Sequence, residues 1–277
     1  MIILTCANND KAKDYRKKNQ EYRNFSFREV IEATARQAEL CGYPCAIFDL
    51  GTLGIGEPFT VQDPDFAEKG YYAKEIVEGY KSKSLFKPEL VQLVMKRFND
   101  TVIYLDGDAQ LVGCLDETAG DDYDIGVTLR PQWETESEWH KQHFEIVKYI
   151  NAGVIFFNPT EAAHRFVEKW ASRTAEVNND QMALNSLSCP ENYPVPYSVE
   201  LIDGVRIKYF PCEVYNFYFF GNQYPQTAKI LHFKGDVRAY YPFNKSNQLF
   251  CLMMVIYAKC RTLISYAQKI HFSQLWK

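Results

Sequence analysis

Apolar residues fall in short solid runs separated by stretches of helical spacing, an alternation that predicts an α/β fold with a buried, mostly parallel central sheet flanked by helices. Ile2 to Cys6 is such a run, giving way to the polar Asn8-Asn9-Asp10, as a buried strand gives way to its loop. From Ser26 to Leu40 the spacing becomes helical: Phe27, Val30, Ile31, Thr34 and Ala38 share one side, and Ser26 with Glu29 forms a capping box. Ala46 to Leu50 returns to a strand, closed by Gly51. Residues 51–84 are rich in Gly, Pro, Asp and Lys and show no clear period before Ala73, which predicts a long excursion over the open face of the sheet. Lys87-Pro88-Glu89 opens a helix with Leu90, Leu93, Val94 and Phe98 on one side. Thr101 to Leu105 is a strand that runs straight into Asp106-Gly107-Asp108.

Further strands are predicted over 125–129, 151–158, 205–210 and 215–220 and near Ile230, with helices over 161–173 and from about 178 to 187. Residues 247–277 hold no Asp or Glu but carry Lys259, Arg261, Lys269 and Lys277 around an apolar run from Leu249 to Ala258. That run falls short of the roughly 20 residues a bilayer span requires. It suits either an amphipathic helix in peripheral contact with an anionic membrane or a helix packed on the domain. The chain thus divides into one large domain, 1–243, and a basic helical tail, 244–277.

A net charge of −4 excludes a general nucleic-acid binder, which needs a basic field. The eight cysteines show no CxxC and no regular framework, so reduced, buried thiols are expected; Cys41 and Cys45 lack the second ligand pair that zinc would require. The opening residues lack the basic start and cleavage site of a secretory signal, which points to a cytoplasmic location.

Two carboxylates one residue apart at the end of a buried strand place hard oxygen ligands where α/β folds bind their substrates. Magnesium or manganese fits such a pair, since either ion completes its shell with phosphate oxygens. Gly107 would let the backbone approach the ligand closely. As a surface carboxylate, Asp108 should be replaceable by Ala with little loss of fold. Asp180 either caps a helix or acts in the site. His140 and His143 read as a solvated helix face, and Trp133, Trp139 and the Tyr215–Phe220 aromatics read as core more than as an acceptor groove.

The order of these elements, with Asn151-Ala152-Gly153 on a later strand, Asp180-Gln181 opening a helix and His232-Phe233-Lys234-Gly235 far downstream, resembles the GT-A glycosyltransferases. Within them it is most similar to the glycogenin-like and lipopolysaccharide galactosyltransferase-like retaining enzymes, over about residues 1–240. The resemblance implies a metal-dependent transfer of a sugar from a nucleotide-diphosphate donor, a UDP-sugar first among them, to a glycan, lipid-linked or protein acceptor. Asp106, Asp108 and His232 would be ligands of Mn2+ (or Mg2+). Thr5, Cys6, Ala7 and Asn8 would cradle the nucleotide, and Lys87 would reach the donor. Asn151, Ala152 and Gly153 would hold the donor sugar, Asp180 and Gln181 would orient the reacting groups, and Gly235 and Arg238 would meet the diphosphate. The family's closing motif resembles His-x-x-Gly-x-x-Lys-Pro; here Arg238 replaces the Lys and Ala239 the Pro. Arg can grip a diphosphate with two prongs. A sugar-phosphate nucleotidyltransferase is the rival enzyme class, although Cys6 to Asp10 lacks the glycine-rich basic loop such enzymes carry. A non-catalytic sugar-binding protein on the same fold is the other alternative.

Overall fold

Strand β1 (Ile2–Ala7) is buried along its whole length, because its alternate side chains enter two different packing layers. Ile2, Leu4 and Cys6 meet the helix layer formed by α2 (Lys87–Phe98) and α3 (Glu161–Val177), while Ile3 points toward α1 (Phe27–Leu40) on the opposite face. The computed structural model describes residues 1–7, 13–14, 20–21, 25–49, 86–218 and 227–240. The predicted excursion over 51–84, Asn8 and the tail over 244–277 lie outside the described residues.

The strands that follow β1 are the short pair β2 (Lys13–Asp14) and β3 (Gln20–Glu21), then β4 (Cys45–Asp49), β5 (Val102–Asp106), β6 (Ala109–Leu111), β7 (Ile125–Leu129), β8 (Ile150–Phe157), β9 (Val199–Ile202), β10 (Val205–Pro211) and β11 (Ile230–His232). The central sheet has seven strands in the order β4-β1-β5-β8-β7-β10-β9. β4, β1, β5, β7 and β10 run one way, and β8 and β9 run against them, so the sheet is mixed and mostly parallel, as the solid apolar runs predict. The Tyr215–Phe220 stretch departs from its predicted strand. Cys212–Tyr215 is a helical turn, followed by a single bridge from Phe217 to Leu231, with Phe219 and Phe220 outside the described residues.

Helix ends follow local chemistry. Ser26 accepts from Glu29 N at 3.1 Å at the start of α1, Thr160 accepts from Ala163 N at 3.1 Å before α3, and Asn179 accepts from Met182 N at 2.8 Å before α4 (Asp180–Ser188). The cap of α4 is therefore Asn179, which leaves the Asp180 side chain for other partners. Helix α3 runs four residues past its predicted end at Arg173 and stops where Asn178 turns left-handed, with φ 53°.

The expectation of reduced thiols holds for Cys6, Cys45, Cys189 and Cys212 but is overturned for one pair. Cys41, at the end of α1, is bonded to Cys114, just beyond β6. Helix α1 brings them together: Thr34 holds β6 through Leu111 N at 3.1 Å, and Tyr43 accepts from Leu115 N at 2.8 Å while donating to Asp116 at 2.7 Å. A bridge closing a 73-residue separation is worth about 4 kcal/mol on the chain-entropy account. Reduction should lower the melting temperature by roughly 10 °C, and the double variant Cys41→Ser/Cys114→Ser should melt low whether or not reductant is present. A wild-type melt indifferent to reductant would mean that the two thiols are free.

Candidate functional site

Asp106 and Asp108 meet His232 because two short strands pair. In the antiparallel register of β6 and β11, His232 stands opposite Ala109, the residue after Asp108, and Phe233 N donates to Asp108 O at 2.8 Å. His232 Nε2 lies 3.2 Å from Asp108 Oδ1 and 3.9 Å from Asp106 Oδ2, and one ligand atom from each of the three residues falls within 4.8 Å of the others. Gly107 serves packing more than access to ligand. A Cβ there would stand 2.5 Å from Cys6 O and 2.9 Å from Ala7 Cβ, so the glycine lets the turn close over the end of β1.

The histidine is fixed from behind by a residue that sequence reasoning missed. Asn216, fully buried, takes His232 Nδ1–H on its Oδ1 at 2.7 Å and donates through Nδ2 to Thr128 Oγ1 at 2.7 Å and Asn151 Oδ1 at 3.1 Å. An amide oxygen can only accept, so Nδ1 carries a proton, and Nε2 is the ring nitrogen that faces the carboxylates. No spacing in the sequence marks Asn216; its place follows from the bridge of its neighbour Phe217 to Leu231. Asn216→Leu should weaken Mn2+ binding by about 10- to 100-fold. Ring 15N NMR should show a mixed His232 tautomer in the variant where the wild type shows one, and an unchanged tautomer would count against this role.

Cations surround the carboxylates. Arg238 Nη2 lies 2.5 Å from Asp108 Oδ2, and its guanidinium rests over Phe27 at 5.4 Å and Phe25 at 5.6 Å. Asp108 is buried, 4% exposed, rather than the surface carboxylate expected. Burial opposes its ionisation, but His232 and then Arg238 outweigh that and hold it well below the usual carboxylate range. Lys87 Nζ lies 2.8 Å from both Asp106 Oδ1 and Asp180 Oδ2, so it joins β5 to the start of α4; burial works against its charge, but the two carboxylates hold its pKa high. Tyr104 donates to Asp106 Oδ1 at 3.0 Å, and Cys6 lies 3.5 Å from the Tyr104 hydroxyl with its thiol pushed up by burial to about 12.

One cavity of about 470 Å³ is lined by Cys6, Ala7, Lys87, Asp106, Gly107, Asp108, Asn151, Ala152, Gly153, Asp180, Gln181, His232 and Arg238. Lys234 lines it too, with a pKa lowered to about 7 by desolvation and then by the Arg130 charge. Thr5 does not line the cavity; it is fully buried in β1. Gly235, with φ 56°, lies just outside the lining and starts the turn that carries Arg238 back to Asp108. Gln181 uses its amide on β8, accepting from Ala152 N at 2.9 Å and donating to Ile150 O. Asn151 Oδ1 accepts from Gly153 N at 2.9 Å.

His140 is buried, not solvated, and packs edge-on against Phe144 at 5.7 Å, because the short helical turns after β7 fold it inward. Trp133 and Trp139 are 52% and 55% exposed, so neither is core; Trp139 stacks on His143 at 4.5 Å.

The three candidate ligands suit a divalent cation: two hard carboxylates and one imidazole whose second nitrogen is already satisfied. Arg238 suits a diphosphate, since its buried Nε–H has no partner among the described residues and remains available to an oxyanion.

Residues 78–236 match the family model described as nucleotide-diphospho-sugar transferase, and since this is more than half of the chain, the protein belongs to that family. It is a nucleotide-sugar-dependent glycosyltransferase with a GT-A fold. No curated protein sequence matches the chain. Among solved structures, it is similar in fold to a glycosyltransferase involved in the glycosylation of the major capsid of PBCV-1, at 14% identity and a TM-score of 0.51, covering 87% of this chain and 98% of that one. The galactosyltransferase LgtC, solved in complex with donor and acceptor sugar analogues, matches at 12% identity and a TM-score of 0.48, over 90% of this chain and 99% of the other. The family sets aside the nucleotidyltransferase and non-catalytic alternatives.

Proposed function

We propose that the protein transfers a sugar from a UDP-sugar to an acceptor hydroxyl with retention of configuration, using Mn2+ (or Mg2+) held by Asp106, Asp108 and His232. The observation that carries this reading is the convergence of those three side chains, with Arg238 beside them, on one cavity. When bound, the cation neutralises charge on the departing diphosphate. Arg238 exchanges its contact with Asp108 for a diphosphate oxygen and holds the leaving group in line. Cys6 and Ala7, at the end of β1, line the nucleotide end of the cavity. Asn151 offers the sugar its Nδ2, whose hydrogens have no partner among the described residues, and Gly153, with no Cβ, leaves the room that the His232 imidazole occupies.

Retention is supported by the state of the carboxylates. Asp180 is paired with Lys87 at 2.8 Å, so it is not placed to take a proton as a free base, and the Gln181 amide, which has no basic atom, is spent on the β8 backbone. The acceptor oxygen then bonds to the anomeric carbon as the bond to the diphosphate oxygen breaks, and that departing oxygen takes the acceptor proton. The acceptor is a glycan, lipid-linked or protein hydroxyl. Among the described residues no helix is long and apolar enough to cross a membrane. The tail over 244–277, which the sequence offers for peripheral membrane contact, lies outside those residues. Because a disulfide is rare in a reducing cytosol, the Cys41–Cys114 bond favours an oxidising compartment over the cytoplasmic location that the sequence suggested.

The test is release of nucleoside diphosphate from UDP-, GDP-, CDP- and TDP-sugars with Mn2+, with Mg2+ and with chelator. Activity is expected with a UDP-sugar and the cation, falling to background with chelator and returning when Mn2+ is restored. Equal rates with and without chelator would remove the metal from the mechanism, and an anomer inverted in the product would remove retention.

A further inference from the structure

Lys234 is a charged side chain of the cavity that neither the metal ligands, the diphosphate clamp nor the Lys87–Asp180 pair employs. It follows His232 by two residues, and its ammonium stands 3.4 Å from the centre of the Tyr218 ring. Among the described residues it has no carboxylate within ion-pairing distance. The carboxylate of its neighbourhood, Glu134, is already taken: one oxygen pairs with Arg130 at 2.8 Å and the other accepts from the Tyr218 hydroxyl. A partly desolvated ammonium with three donors and only a ring face beneath it is better matched by an oxyanion than by a neutral hydroxyl, because the charge-assisted bond is the stronger.

Its place along the sheet says which substrate brings that oxyanion. In the reading proposed above the nucleotide takes the end of the cavity at Cys6 and Ala7 of β1, and the candidate metal ligands stand at the turn between β5 and β6 and on β11. Arg130 follows β7 and Tyr218 follows β10, which stand beyond β8 on the far side of the sheet from β1. The diphosphate, held between the nucleotide and the triad, has Arg238 for its negative charge. In that reading Lys234, beside Tyr218, stands on the side of the cavity away from the nucleotide, which is left to the acceptor.

We infer that Lys234 binds a phosphate or carboxylate group of the acceptor, so that the acceptor class is acidic. This rests on the function proposed above and adds the chemical class of its second substrate.

The test titrates glucose 6-phosphate, glucuronate and glucose by calorimetry into the full chain already saturated with UDP and Mn2+. At least one acidic sugar is expected to bind about tenfold or more tightly than glucose; the phosphate and carboxylate arms show which group the site takes. In Lys234→Met that advantage should fall to about one, and Lys234→Arg should keep it. Lys234→Gln supplies the same comparison if the Met variant does not fold. Wild-type protein that binds the three sugars equally, or binds none, overturns the inference, as does an advantage undiminished in Lys234→Met. A variant whose loss falls on UDP affinity instead would place Lys234 on the diphosphate and overturn it too. Failure of the parent reading is seen earlier and separately, as wild-type chain that takes up no UDP with Mn2+.

Discussion

Replacing Asp108 by Asn is expected to lower metal-dependent sugar transfer by about a thousandfold or more, with the fold retained. Asn keeps the shape of Asp108 and one oxygen to accept from Arg238, but it loses the charge that makes a carboxylate a good ligand for a hard cation. The loss should appear in Mn2+ binding, followed by electron paramagnetic resonance, as well as in turnover. Asp108→Ala is the poorer experiment. Asp108 is 4% exposed and pairs with Arg238 at 2.5 Å and His232 at 3.2 Å, so truncation leaves two polar partners around a void. Breaking a buried pair costs about 3–5 kcal/mol, and less here because the Arg238 side chain is 18% exposed. A melt of both variants should rank Ala below Asn. An Asn variant that keeps more than about a tenth of the Mn2+-dependent rate would show that Asp108 is not a first-rank ligand.

The centre of the sheet was legible because β5 and β8 are solid apolar runs, which only a strand covered on both faces requires. The carboxylate pair was legible for the same reason, being the polar stop of such a run. What joins them to His232 was not. β6 is three residues long, too short for any periodicity to register, and its pairing with β11 joins segments far apart in the chain that no local spacing connects. Edge strand β9 escaped notice because its apolar Val199 and Leu201 are the exposed members, the reverse of the pattern that reads as a half-buried strand. The Cys41–Cys114 bond depends on where α1 ends relative to β6, a three-dimensional fact that cysteine spacing does not encode. Lys87 lines the cavity, and its pairing with both Asp106 and Asp180 depends on where the starts of α2 and α4 meet, which left no mark in the local sequence.

Gly153→Ala should do nearly as much damage as loss of a ligand, although Gly153 offers no side chain to any substrate. A Cβ at that position would stand 2.2 Å from His232 Cε1, 2.8 Å from His232 Nδ1 and 2.9 Å from Asn151 Oδ1. The ring has little room to retreat: Nδ1 is held by Asn216 at 2.7 Å, Asn216 is held by Thr128 at 2.7 Å, and His232 is fixed in register opposite Ala109. One methyl group therefore forces either the imidazole off Asn216 or β8 away from β11. Overpacking of this kind costs about 1–3 kcal/mol, and a displaced imidazole should weaken Mn2+ binding by about 100-fold. The double variant Gly153→Ala/His232→Ala separates the two effects. Removing the ring frees the space, so the melting temperature should recover toward that of His232→Ala alone, while Mn2+ binding stays lost. Recovery of both, or Mn2+ binding in Gly153→Ala equal to wild type, would mean that the imidazole against Gly153 is a packing residue and that the cation is held by the carboxylates without it.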